Sequence, residues 1–374
     1  MSIPSGNNRP PQRLQIVASI DKPYRRIIKR HPFLILFAMI LCVDLILLGD
    51  PRYQWHRWRA TYLESQHQYS QALAELKAAL SINSSHSYDY SRVARIYDDL
   101  GQDQAAVQAI STEISMERFP MDYSASLSMR AYYHDKAGQI PEAIADYTSS
   151  IAWAGKAQTD HHYFKLRTIK YSLRNRMIDY YRSKKYSDAI SDARQLSEMD
   201  PDDESVVVAL AKYEAAAGDL ASAEIDAQKA IQLDPKDEKA YSDLSRVYEL
   251  RHQYGNALSV DDREIQALPN SPDAYGSHGW FEYKLGNYDA AISDSRKALS
   301  LHPQSPDYIY FNIGLVYAAQ GNWASAKDAY QEAFRHSTAK DLKQPHDDVL
   351  EALKLSPHNT ALQQADLLFR IHKA

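Results

Sequence analysis

ESVVVALAKYEAAAGDLASAEIDAQKAIQLDPKD, residues 204–237, is one copy of a 34-residue pattern that recurs along this 374-residue chain. Within the copy, Gly218 precedes a run with Ala223 and Ala230, and Pro235 closes it. An alanine and a closing proline return 34 residues later and again after a further 34. A fixed period of this length is typical of a repeat protein in which each unit packs against its neighbours.

Eight copies of the pattern can be placed along the chain. They start near Tyr53, Ser87, Ser124, Lys170, Glu204, Glu238, Pro272 and Asp307. All eight carry alanine at one position early in the second half of the copy: Ala72, Ala106, Ala143, Ala189, Ala223, Ala257, Ala291 and Ala326. Because two helices that cross closely tolerate only a small side chain at the crossing, this register predicts a helix pair in each copy.

The turn between the two helices is marked by glycine in five copies, as Gly218 illustrates. Glycine suits a helix C-terminus because it adopts positive φ without strain. His67, Lys184 and His252 replace it in the other three copies, so those turns are expected to differ in detail. The second helix is expected to end before proline in the middle repeats, at Pro201, Pro235, Pro269 and Pro303.

The period, the alanines and the turn glycines resemble the tetratricopeptide-repeat (TPR) family, over roughly residues 53–357. The resemblance implies an all-α fold, a TPR α-solenoid that winds as a right-handed superhelix. We expect eight repeats over 53–340, and a degenerate half repeat with a C-terminal capping helix over 341–374. A polar and aromatic insertion before the fourth repeat, 158–169, is interpreted as a lengthened first helix.

The N-terminal region differs in composition from the repeats. Residues 1–48 carry a net charge of +5 in a chain of −5, which leaves −10 for the rest. We expect residues 1–31 to be a disordered basic tail and 32–49 to form a transmembrane signal-anchor helix. A cleaved signal peptide and a buried core helix are alternatives, but no convincing cleavage site follows the apolar run.

The distribution of basic residues predicts the orientation of this single-pass span. Seven Lys and Arg precede the apolar run, against Arg52, Arg57 and Arg59 on its other flank. The positive-inside rule then places the N-terminus in the cytoplasm and the repeats on the non-cytoplasmic side, the periplasm or exterior in a bacterium. The acidic balance of the repeats argues against nucleic acid as a partner.

Sequence motifs for catalysis or cofactor binding are missing. There is no phosphate-binding glycine loop, and the one cysteine, Cys42, lies in the apolar run. Asp160, His161 and His162 could suggest a metal site, but a polar helix surface is the simpler interpretation. Asp261, Asp262, Arg263 and Glu264 are interpreted as an ion-pair network in a helix, although Asp261 occupies a usually packed position. We therefore expect no enzyme activity, cofactor or metal.

Binding of other proteins is the function that the resemblance implies. In TPR proteins the first helices of the repeats line a concave groove, and here those positions alternate basic and aromatic residues. The candidate groove residues are Arg92, Arg95, Tyr132, Arg174, Tyr181, Lys212, Arg246, Trp280, Tyr283 and Phe311. They suit an extended acidic and apolar segment of a partner protein.

Three functions remain open on the sequence. The first is a membrane-anchored scaffold that binds a protein or peptide and helps to assemble an envelope complex. The second is a cytosol-facing receptor on an organelle or an inner membrane, and the third is a regulatory subunit of an enzyme. The partner and the oligomeric state are not given by the sequence.

Overall fold

A computed structural model describes residues 50–157 and 162–373, and in this part of the chain all regular structure is helical. The predicted basic tail, 1–31, and the predicted span, 32–49, lie outside the described residues, as do Asp160 and His161. None of the described helices combines the length and apolarity that a membrane crossing requires.

Eighteen helices make up the described residues, and the first sixteen form eight pairs. The pairs are α1 and α2 (Pro51–Ser65, Tyr69–Ile82), α3 and α4 (Ser87–Asp99, Asp103–Ile114), α5 and α6 (Pro120–Lys136, Ile140–Lys156), α7 and α8 (His162–Arg182, Tyr186–Met199), α9 and α10 (Glu204–Ala217, Leu220–Leu233), α11 and α12 (Glu238–Leu250, Tyr254–Ala267), α13 and α14 (Pro272–Lys284, Tyr288–Ser300), and α15 and α16 (Asp307–Ala319, Trp323–His336). Two more helices follow: α17 (Lys343–Leu355) and α18 (Thr360–Lys373).

The chain divides into two compact units, which meet in sequence inside α7, after Ser172. In the first unit α1 to α6 pack in chain order, each helix against the next. In the second unit α8 to α16 also pack consecutively, and α9 contacts α11 as α13 contacts α15. Each unit is therefore a stack of helix pairs, as a repeat protein requires.

The alanine register marks the tightest crossings of the stack. All eight of these alanines are completely buried, which confirms the steric reason for a small side chain there. Glycine performs the same role on the facing helix in the last two pairs. A Cβ on Gly279 would lie 2.9 Å from the carbonyl oxygen of Ala291, and one on Gly314 would lie 2.6 Å from the ring of Tyr330.

Local signals start and stop the helices. The Asp219 side chain caps α10 by accepting a hydrogen bond from the Ser222 amide, and Asn322 caps α16 through Ser325 in the same way. The second helices of the middle pairs end at Met199, Leu233, Ala267 and Ser300. Each ends shortly before its proline, as the sequence predicts.

The C-terminal helices cover the apolar end of the second unit. Phe369 of α18 is fully buried against Phe311, Tyr330 and Phe334. The α18 helix leaves Leu367 and Ile371 exposed on its other face. It therefore covers the apolar core of the last helices.

Candidate functional site

The principal groove of the second unit runs along the first helices of successive pairs. It has a volume of about 890 Å³ and receives side chains from the C-terminal part of α7 and from α9, α11, α13 and α15, together with Glu264 of α12. We call this cavity the helix-A groove. Its location follows from the fold, because the first helices of neighbouring pairs lie side by side.

Tyrosines and a lysine line one end of the helix-A groove, which we call the tyrosine end. The rings of Tyr181 and Tyr213 are stacked with centroids 4.7 Å apart. The Nζ of Lys212 lies 5.0 Å from the centroid of the Tyr181 ring. Arg182 and Lys239 also line the cavity. Tyr213 is buried and supports the ring of Tyr181, so this end offers the partly exposed Tyr181 ring with positive charge beside it, a combination that suits apolar and acidic side chains.

Carboxylates line the rest of the groove, and we call Glu238, Glu264 and Asp273 the acidic end. Only 3% of Glu264 is exposed, and its side chain has no hydrogen-bond partner among the described residues. Burial is the main cause that raises the pKa of Glu264 to about 8, and the charges of Asp261, Glu238 and Asp273 contribute to this rise. The Tyr308 hydroxyl donates a hydrogen bond of 2.8 Å to Asp273 Oδ1.

A second carboxylate is buried beneath the acidic end. Asp261 is fully buried, and Ser245 Oγ donates a 2.5 Å hydrogen bond to its Oδ1. Its Oδ2 has no partner among the described residues. Burial raises the pKa of Asp261 to about 7. The expectation of an ion-pair network over Asp261, Asp262, Arg263 and Glu264 is therefore wrong for Asp261 and Glu264, which form no ion pair among the described residues, although the charge of His278 acts on Asp261.

Asp243 lies between the two ends of the groove. Burial raises the pKa of Asp243 to about 6, while the nearby positive charge of Lys212 opposes the rise. Lys212 itself forms no ion pair with a described residue, and its side chain is exposed. The helix-A groove thus carries positive charge at its tyrosine end and uncompensated carboxylates at its acidic end.

Arg246 and Trp280 line a smaller recess of about 260 Å³ in the same unit. Trp280 Nε1 donates a 2.9 Å hydrogen bond to Glu249 Oε1, and Arg246 donates one of the same length to Glu249 Oε2. The Trp280 and Tyr283 rings lie 5.5 Å apart. Arg246 is exposed, but Trp280 and Tyr283 are partly buried. Trp280 is therefore a side chain held in place by the protein.

The assignment of Phe311 to the groove surface is wrong. Only 3% of Phe311 is exposed, because its ring packs against Phe334 and Phe369 at 5.5 and 5.6 Å between centroids. Its position on α15 faces the capping helix, which the register of a standard repeat does not anticipate.

Arg174 is engaged within the second unit. It pairs with Asp203, and its Nη1 donates a 2.7 Å hydrogen bond to Ser205 Oγ. Because Ser205 lines the helix-A groove, Arg174 lies at the edge of the cavity with its charge already compensated. Arg174 therefore attracts an acidic ligand less strongly than the sequence suggests.

The three candidates of the first unit are described separately. Only 6% of Arg92 is exposed, and it donates a 2.5 Å hydrogen bond to Glu64, so its assignment to an open surface is wrong. Arg95 is exposed and lies 3.6 Å from the same carboxylate. Tyr132 is partly buried under the Lys136 ammonium group. Intramolecular pairing thus removes most of the free positive charge predicted for this unit.

Glu264 and Asp273 are among the groove residues that the sequence reasoning missed, together with Tyr213, Glu238 and Asp243. A signal was present, because Asp261 and Glu264 are spaced i and i+3 on one helix and Asp261 occupies a position that is packed in other repeats. Two carboxylates on a packed helix face predict a polar surface or a cavity beside it. Within the described residues, no group of three or more His, Cys, Asp or Glu is arranged to hold a metal ion.

Comparisons with known proteins agree with a TPR protein. Two tetratricopeptide-repeat family models match residues 176–238 and 272–339. No curated protein sequence matches the chain.

Two solved structures share the fold at low sequence identity. One is a tetratricopeptide repeat protein from Parabacteroides merdae, with a TM-score of 0.55, 17% identity, and coverage of 74% of this chain and 100% of the other. The second is the C-terminal part of a TPR repeat-containing protein from Cytophaga hutchinsonii, with a TM-score of 0.53, 17% identity, and coverage of 67% and 97%. At these identities the likeness concerns the fold alone.

Proposed function

We propose that this chain is a non-catalytic scaffold that binds an extended segment of a partner protein in the helix-A groove. The observation that carries the proposal is the tyrosine end, where the stacked pair Tyr181 and Tyr213 lies beside Lys212 in an open cavity. The Tyr181 ring, held in place by the buried Tyr213, presents a rigid surface and loses little conformational entropy when it is covered.

The charge at this end favours an acidic and apolar segment. Lys212 has no ionic partner among the described residues and Lys239 lines the same cavity, whereas Arg182 is paired with Asp179. A carboxylate of the ligand near Lys212 would steer association, whereas apolar side chains on Tyr181 would slow dissociation. Arg174 and Arg246 contribute less, because each is already paired with a carboxylate of its own unit.

Membrane attachment is the second part of the proposal. The apolar run 32–49, preceded by basic residues, supports a signal anchor with its N-terminus in the cytoplasm and the repeats on the non-cytoplasmic side. The scaffold would then assemble an envelope complex at the membrane. A cytosol-facing receptor and a regulatory enzyme subunit are alternatives, of which the first requires the opposite orientation of the span.

The groove is tested by selecting ligands from a library of random twelve-residue peptides displayed on phage. We expect the selected peptides to lose about tenfold or more in affinity on Tyr181→Ala. The Lys212→Ala variant should mainly slow association, with a larger effect at low salt.

Matched controls use exposed residues outside the cavity. Ile225→Ala on α10 removes an exposed apolar side chain, and Lys236→Ala removes an exposed cation. Both variants should bind as the wild type does. Selected peptides that bind the groove variants normally but fail on the Ile225 variant would place the interface on the second helices instead.

A further inference from the structure

Four carboxylates lie at and beneath the acidic end of the helix-A groove, and the charge of His278 on α13 acts on Asp261, whereas the charges that act on Glu264 are all negative. Asp261 and Glu264 come from α12, Glu238 from α11 and Asp273 from α13. The charges of the other three act on Glu264, and Tyr308 of α15 faces it across the cavity. Tyr241 of α11 is a further titratable neighbour of Glu264, and the Arg263 guanidinium lies over the Tyr241 ring.

Glu264 is the member of this cluster that points to a ligand. Only 3% of the residue is exposed, and it lines the cavity. Its side chain has no hydrogen-bond partner among the described residues. A buried carboxyl group without a partner is costly in a folded protein, so it is rarely kept for stability alone. An oxygen that faces a cavity is free to accept a hydrogen bond from a group that enters there.

We propose that the acidic end binds a lysine or arginine side chain of the partner segment, with Glu264 and Asp273 as its counterions. A guanidinium or ammonium group supplies several donors to oxygens that lack them. The described residues offer no arrangement suited to a metal ion, which leaves an organic cation as the complementary group. Charge complementarity therefore identifies the occupant of this end.

The inference rests on the proposed function and requires that the same partner segment also carries a positively charged residue. A segment that covers the whole groove would place acidic and apolar residues at the tyrosine end and a basic residue at the acidic end. The groove would then select one chain direction of the bound segment, because a segment bound in the opposite direction brings like charges together at both ends.

Proton release provides a direct measurement of this contact. Burial and the neighbouring carboxylates raise the pKa of Glu264 to about 8, so much of it is protonated at pH 7 in the free protein. A bound cation stabilises the ionised form and expels that proton. The affinity should therefore rise between pH 6 and 8.5, and calorimetry at pH 7.5 in two buffers of different ionisation enthalpy should detect the released proton.

The test uses the peptides selected on the wild-type chain and the variant Glu264→Gln, with Glu198→Gln, an exposed carboxylate on α8, as control. We expect the selected peptides to contain a lysine or arginine whose replacement by norleucine or citrulline weakens binding at least tenfold. On Glu264→Gln the same replacement should have little effect, and the proton release should disappear. The Glu198 variant should behave as the wild type.

The outcomes separate the two proposals. Peptides that depend on Tyr181 but carry no basic residue, and bind Glu264→Gln unchanged, overturn the inference and leave the proposed function standing. A selection that yields no peptide dependent on Tyr181 contradicts both. A circular-dichroism melt of Glu264→Gln shows whether the variant is folded, and the replacements on the peptide test the contact in the unaltered protein.

Discussion

Non-glycine residues occupy left-handed turns at three places between paired helices. His67, Lys184 and His252 have φ of 56°, 59° and 57°, close to the 68° to 87° of the turn glycines. The expectation that these turns differ is therefore wrong, since the same conformation is imposed by packing of the two helices. In two of them the histidine Nδ1 lies 3.0 Å from a tyrosine hydroxyl two residues later, Tyr69 or Tyr254.

Replacing Lys184 with glycine should stabilise the second unit. A left-handed conformation costs about 1–2 kcal/mol for a residue with a Cβ, and part of this gain is offset by the greater freedom of glycine in the unfolded chain. We expect the free energy of unfolding to rise by about 0.5–1 kcal/mol in a urea titration. Gly218→Ala should lower it by a similar amount, and an unchanged midpoint for both variants would contradict the argument.

The buried carboxyl of Glu264 should make stability depend on pH. Its pKa rises from an ordinary value of 4.5 to about 8, mainly through burial. A raised pKa in the folded state means that the stabilisation is complete below about pH 4.5 and is lost as the pH rises through 8. Relative to wild type, Glu264→Gln should therefore gain about 4 kcal/mol between pH 5 and 8.5. Thermal melts of the variant and the wild type at pH 5 and 8.5 measure the difference in stability. The control variant Glu198→Gln should show no such gain.

At the scale of the helix pair, the crossing alanines are the residues on which the fold depends most directly. Ala223 is fully buried where α9 and α10 cross, whereas Ala221 on the same helix is exposed. We expect Ala223→Leu to lower the free energy of unfolding by about 1–3 kcal/mol through overpacking. Hydrogen exchange should accelerate chiefly in α8 to α11, because repeat units couple mainly to their neighbours. Ala221→Leu is the matched control, and equal effects of the two variants would argue against the crossing.

The helix pairs were predictable because the signals that specify them are local. Alanine at the crossings, glycine in five turns and proline after the second helices all lie within a few residues of the structure they determine. The groove residues were less predictable, because exposure depends on partners far away in sequence. Arg174 is neutralised by Asp203, 29 residues later, and Phe311 is covered by Phe369 of the capping helix. A repeat register predicts which way a side chain points and does not predict what covers it.

Across the whole chain, charge is divided between a basic N-terminal region and an acidic body. The net +5 of residues 1–48 stands against −10 for the remainder. Within the second unit the division is repeated on a smaller scale, with Lys212 at one end of the helix-A groove and Glu238 and Asp273 at the other. A long-range field of this kind affects association and orientation more than it affects the fold.

The orientation of the proposed membrane anchor gives the last prediction. We expect residues 32–49 to remain in the mature protein, because no convincing cleavage site follows them. Cys42 is the only cysteine, so a Cys42→Ser background permits single-cysteine labelling. In that background, Gln104→Cys on an exposed position of α4 should react with a membrane-impermeant maleimide from the non-cytoplasmic side. Ser5→Cys should react only after the membrane is permeabilised, since the positive-inside rule retains the basic N-terminus in the cytoplasm. The reverse labelling pattern would favour the cytosol-facing receptor. N-terminal sequencing distinguishes the remaining case, because a mature chain that starts near residue 50 would show that the apolar run is a cleaved signal peptide and that the repeats are released from the membrane.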